Sequence, residues 1–144
     1  MDRSREGLPE RAQRLLSHLP PLEDVTPQEW RAAKTTVRHE LWELAAVGKG
    51  CHHGDLAGAV SMPPRNRRWF RLLDEACLEV VATEGPLVTA LVTAKDSSVP
   101  GEGFFTLAER LCLDWDDPRA FAESEQAQST EWIKQYPEGW DLAS

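Results

Sequence analysis

Two helical patterns meet across Met62-Pro63-Pro64, and the second opens on four arginines in seven residues. That junction constrains the fold more than any other part of the chain. Consecutive prolines deny a helix its backbone donors, so the first pattern, about His53 to Val60, has to stop before Ser61–Pro64. The second begins Arg65-Asn66-Arg67-Arg68-Trp69-Phe70-Arg71 and carries Trp69, Phe70, Leu73, Ala76, Cys77, Val80 and Val81 at helical spacing as far as Gly85. A β-prone run, Leu87–Ala94, follows and reads as a strand partly buried on both faces. Beyond a polar loop, Lys95–Ser98, the glycines of Pro100-Gly101-Glu102-Gly103 supply backbone for a wing-like turn or for close approach to the body. Helix, turn, arginine-rich helix, strand and glycine loop is the element order of a winged helix-turn-helix. The expected fold is therefore α+β, mostly α. A winged-helix-like core covers 26–113, an N-terminal helical arm 1–25, and an acidic C-terminal helix and tail 114–144.

The flanking helices have their own signals. Leu8, Ala12, Leu15, Leu16 and Leu19 fit a short amphipathic helix over 9–18, ended by Pro20-Pro21. Thr26-Pro27-Gln28-Glu29 is a capping box with proline at the first helical position. The helix it opens has Trp30, Ala33, Val37, Leu41 and Leu44 on one face and stops near Gly48. Phe104, Phe105, Leu107, Ala108, Leu111 and Cys112 predict a helix packed back on the core. Asp117-Pro118 reads as a cap and first-turn proline for a last helix reaching about Gln135, polar except for Phe121, Ala122, Trp132, Ile133 and Tyr136.

Charge is unevenly placed. The whole chain carries -8, but residues 1–101 hold 13 Lys and Arg against 14 Asp and Glu, whereas 102–144 hold 3 against 10. A local basic face beside an acidic end is a different object from a uniformly acidic protein. The longest uncharged run, Gly85–Ala94, is far short of a membrane span, and the N-terminus has no apolar stretch of the secretory kind. Three widely spaced cysteines, Cys51, Cys77 and Cys112, fit reduced thiols in a cytoplasm better than a disulfide framework.

The arginine cluster is the main functional candidate. Arg65, Asn66, Arg67, Arg68 and Arg71, with Lys95 from the following loop, are residue types that bond guanine edges or phosphates when such a helix enters a major groove. The competing reading is a solvated face whose arginines pair with the acidic C-terminal segment. Trp69 and Phe70 fit the apolar stripe and read as core. Six tryptophans open a second route: Trp115, Trp132 and Trp140 lie in the acidic end, and aromatics are frequent interface anchors. Cys51-His52-His53 lacks the second ligand pair that a zinc site needs, so no metal is expected. Pro100–Gly103 lacks the spacing of a phosphate loop, and Asp114, Asp116 and Asp117 lack the pattern of a calcium loop. No nucleophile–base pair, metal set or cofactor loop emerges, so the expectation is a non-catalytic protein without a cofactor.

Residues 41–105 resemble the winged-helix domain of the alkylguanine-DNA alkyltransferase and alkyltransferase-like group, in which a "GELA" helix precedes an arginine-bearing recognition helix. His53-Gly54-Asp55-Leu56-Ala57 stands where that first helix would begin, and Arg67 or Arg68 at the recognition position. The resemblance implies DNA binding with an arginine that supports base flipping. It does not extend to alkyl transfer, because that family's Pro-Cys-His-Arg segment has no counterpart: the run here is Pro86-Leu-Val-Thr-Ala-Leu-Val92. The segment ending Pro-Gly-Glu-Gly-Phe-Phe105 also resembles uncharacterised bacterial proteins and implies no function. Two expectations follow. One is a winged helix that binds nucleic acid, DNA before RNA, through the arginine helix. The other is a protein-interaction module or accessory subunit that docks through its Trp-rich acidic end. Neither involves a membrane.

Overall fold

The computed structural model describes residues 6–20, 25–47, 51–59, 67–93, 97 and 99–135. The chain is mostly helical. Helices α1 (Leu8–Ser17) and α2 (Pro27–Ala46) are followed by a two-residue strand β1 (Cys51–His52), then α3 (His53–Ala59) and α4 (Arg67–Ala82). A 3-10 turn over Val88–Leu91 leads into β2 (Val92–Thr93), and α5 (Glu102–Arg110) and α6 (Pro118–Ile133) complete the order. Both expected caps form. Thr26 Oγ1 accepts from the Glu29 amide at 3.1 Å, and Asp117 Oδ1 from the Arg119 amide at 3.2 Å.

Helix α4 is the axis of the molecule, because its apolar residues are divided between two cores. Trp69, Leu72, Leu73, Ala76 and Val80 pack with Trp30, Val37 and Leu41 of α2, Leu56 and Ala57 of α3, and Trp132 and Ile133 of α6. Cys77, Leu78 and Val81 pack on the other side with Leu8 and Ala12 of α1, Phe104, Leu107 and Ala108 of α5, and Ala122 of α6. Helices α1 and α6 each bury side chains in cores shared with the middle of the chain.

Of the strand expected over Leu87–Ala94, only Val92–Thr93 is one; Val88–Leu91 is a 3-10 turn, and Ala94 lies outside the described residues. Leu87 and Ala90 enter the second core, while Val88 and Leu91 enter the first. Serving two cores on either side calls for a three-residue period, which a 3-10 turn has and a strand does not. An apolar run buried on all sides carries no periodicity that separates the two forms. Its irregular backbone is satisfied from α6: Glu125 Oε2 accepts from the Leu87 amide at 3.2 Å, and Gln126 Nε2 donates to the Ala90 carbonyl at 2.8 Å.

No wing is seen among the described residues. β2 pairs with β1 in parallel, Cys51 beside Val92 and His52 beside Thr93, and no antiparallel hairpin occurs among the described residues. Gly101 caps α5 and Gly103 lies inside it, so the glycine loop starts a helix. Cys112, expected on the apolar stripe, instead ends α5 exposed and with φ 62°.

Candidate nucleic-acid interface

Helices α2 and α4 run side by side with a charge network between them. Glu75, which is buried, accepts at Oε2 from Trp30 Nε1 (3.0 Å) and from Arg71 Nε (2.9 Å), and at Oε1 from Lys34 Nζ (3.3 Å). Glu79 accepts from Lys34 Nζ at 2.5 Å and from Arg38 Nη2. The Arg71 guanidinium also lies over the Trp30 ring, 5.9 Å from its centroid. The spacing explains the assembly: Trp30, Lys34 and Arg38 recur every four residues on α2, as do Arg71, Glu75 and Glu79 on α4, so each set forms one row. Beyond the network, Val25, Pro27, Trp30, Arg31 and Lys34 line a groove of about 350 Å³. Arg31 is exposed at its edge. Three cations, Lys34, Arg38 and Arg71, thus gather about two carboxylates, Glu75 and Glu79, with Arg31 on the adjoining groove.

The candidate residues fare differently. Arg65, Asn66, Lys95 and Trp140 lie outside the described residues, and Arg67 is the first residue of α4. Arg68 is half-buried in the first turn. Arg71, expected at the nucleic acid or paired with the acidic end, is held by Glu75 one turn along its own helix. Trp132, expected as a docking anchor, is 7% exposed and belongs to the core around Trp30 and Trp69. A tryptophan there cannot present its face to a partner. Trp115 is half-buried and stacks on Phe121, with centroids 4.9 Å apart and planes at 15°. Sequence reasoning passed over Arg31 and Lys34. Their only signal was spacing from Trp30 on a helix of which only the apolar face was read, and the link of Lys34 to Arg71 through Glu75 is tertiary.

A second polar feature lies where α3, α4 and α5 meet. His53, Phe70, Asp74 and Thr89 help line a small cavity of about 20 Å³. His53 Nδ1 accepts from Trp69 Nε1 at 3.0 Å. Burial holds His53 below the usual imidazole range. Burial also pushes the Asp74 carboxyl up to about 6, against the pull of Arg110 and with a small push from Glu75. A carboxyl raised in the folded state from 3.8 to about 6 favours folding fully below the unfolded value and loses that stability as pH rises through about 6. Asp74→Asn is therefore expected to stabilise the chain by about 2 kcal/mol at pH 8 and by little at pH 3.5, read from urea midpoints at the two pH values. An equal gain at both would show that Asp74 is already ionised at little cost.

Cys77 is fully buried, and its thiol is pushed up to about 11, which makes it inert as a nucleophile. No group of three or more possible metal ligands occurs among the described residues, and no helix among them is long and apolar enough to cross a membrane. No protein-family model, curated protein or solved structure matches this chain.

Proposed function

We propose that the chain binds nucleic acid, DNA in preference to RNA, through the cationic face formed by the N-terminal halves of α2 and α4. The observation that carries this reading is the excess of cations where α2 meets α4: Lys34, Arg38 and Arg71 stand about Glu75 and Glu79, and Arg31 is exposed on the adjoining groove, on a chain of net charge -8. Phosphate contacts supply most sequence-independent affinity, and a local cationic strip suffices for them whatever the net charge. The order α2, β1, α3, α4, β2 also supports the reading, being that of a winged helix as far as the second strand. Among the described residues, α5 follows where a wing would stand, and the contacts assigned here come from α2 and α4. Arg68, half-buried in the first turn of α4, and Arg31, exposed on α2, are the residues assigned to phosphate contact. Lys34 and Arg71 hold the face together while adding to its field.

The test is fluorescence anisotropy of labelled duplex DNA, single-stranded DNA and RNA at two salt concentrations. Arg31→Glu, Arg68→Glu is expected to lower duplex affinity at least tenfold and to reduce the salt slope by about 2, because each lost phosphate contact removes about one ion. Unchanged circular dichroism would show that the fold is retained. Absence of binding to all three probes at low salt overturns the reading.

One observation favours docking to a protein instead. Phe105, Trp115 and Phe121 form a half-buried aromatic seam between α5 and α6, with Phe105 and Trp115 5.5 Å apart. Of the tryptophans first considered as anchors, Trp115 alone keeps that role among the described residues.

A further inference from the structure

Trp69 is fully buried, and its indole N–H can only donate. Its acceptor is His53 Nδ1 at 3.0 Å, which ties the start of α3 to the first turn of α4. An imidazole nitrogen accepts only when it carries no proton, so this bond fixes His53 as the neutral tautomer with hydrogen on Nε2. Protonation would place a second N–H on Nδ1, facing the indole N–H. Two donors would then point at each other inside the protein, and Trp69 would have no acceptor. The His53 ring is also edge-on to Phe70, with centroids 5.9 Å apart and planes at 63°, so it cannot turn away without losing that contact.

The structure assigns His53 the role of a pH-sensitive latch between α3 and α4, closed by the Trp69 N–H and opened by protonation of Nδ1. The charged groups about it do not supply a substitute acceptor for Trp69. Asp74 faces it from α4 across the small cavity, with Arg110 of α5 and Glu75 acting on Asp74. His52, on β1, is bonded to Thr93 Oγ1 at 3.2 Å, and Asp55 of α3 and Glu102 of α5 are exposed. Across α2, Lys34 and Arg38 are taken by Glu75 and Glu79. Cys77 lies in the second core beside Thr89. Burial of His53 lowers its affinity for a proton, so the latch stays closed at neutral pH and opens only on acidification. The inference stands whether or not the α2–α4 face binds nucleic acid.

The test uses the full chain with nitrogen-15 labelling, followed by NMR from pH 8 to pH 5, with the Trp69 indole signal assigned by its loss in Trp69→Phe. At pH 8 the His53 imidazole is expected in the Nε2–H form. On acidification the Trp69 indole signal is expected to move with a single midpoint below 6.5. Its hydrogen-exchange protection should fall at least tenfold relative to the Trp30 indole, whose acceptor is Glu75. His53→Asn puts an amide oxygen near the place of Nδ1, keeping an acceptor that does not titrate, and should abolish the midpoint. A midpoint that survives in His53→Asn would assign the titration to Asp74 and overturn the latch. So would an Nδ1–H tautomer at pH 8, or a Trp69 signal indifferent to pH. If the asparagine variant fails to fold, the imidazole and indole spectra of the unaltered chain decide the matter.

Discussion

Glu75→Ala is expected to melt about 10 °C below the unaltered chain, a loss of about 3 kcal/mol. The carboxylate is only 7% exposed and accepts from three donors: Trp30 Nε1, Lys34 Nζ and Arg71 Nε. Its removal strands a buried indole N–H and takes a carboxylate from two partly buried cations, of which Lys34 keeps Glu79. Removing one partner of a buried ion pair costs about 3–5 kcal/mol, and the lower end applies because water reaches the Lys34 and Arg71 side chains, 16% and 21% exposed. Glu75→Gln keeps an oxygen for Trp30 but removes the charge, and should lose about half as much. Thermal melts followed by circular dichroism check both. A Glu75→Ala melt within 2 °C of the parent would mean that the network forms at no net gain over separately hydrated groups.

Gly85→Ala is expected to cost about 2 kcal/mol, whereas Glu84→Gly, one residue earlier, should add about 1 kcal/mol. The end of α4 explains the opposite signs. The Gly85 amide donates to the Val80 carbonyl and the Glu84 amide to the Val81 carbonyl, both at 2.9 Å, which is the bond pair of a Schellman motif. In that motif the residue in the left-handed conformation is Glu84, with φ 69°, where glycine would be unstrained. Gly85 meets a different demand. A methyl group there would lie 2.4 Å from Val80 Cγ1 and 3.0 Å from the Trp132 ring. Those side chains belong to the first core and cannot withdraw without opening it. Urea denaturation of both variants gives the comparison. A neutral Gly85→Ala would show that Trp132 has room to shift, and a destabilising Glu84→Gly would show that the Glu84 side chain makes a contact worth more than the backbone strain.

The glycine at the end of α4 illustrates how far the sequence could be read. Gly85 was legible as a helix stop, since glycine commonly follows the last helical turn. That the left-handed residue is Glu84, and that Gly85 is required by a tryptophan from α6, could not be read locally. The same contrast holds at the candidate site. The arginine run was visible as composition, but α4 turns Arg71 toward Glu75 and Trp30, and it is α2 that contributes Arg31 and Lys34. Trp132 read as an interface anchor on a helix that is polar but for five residues. It is core because that helix lies across both α2 and the 87–91 turn, and its buried polar residues, Glu125 and Ser129, face inward with it.

By itself the sequence determined where the helices lie, because capping residues, prolines and the 3.6-residue apolar repeat act within a few residues of one another. Thr26, Asp117 and the stripe from Trp69 to Val81 specify α2, α6 and α4 without reference to anything distant. Only the tertiary structure decided what became of the segments whose local signals were neutral. Leu87–Thr93 is buried throughout, so its conformation follows from the two cores it separates and from the α6 side chains that satisfy its backbone. The pairing of charges between α2 and α4 joins residues some forty positions apart, and a contact at that separation leaves no periodic mark on either helix.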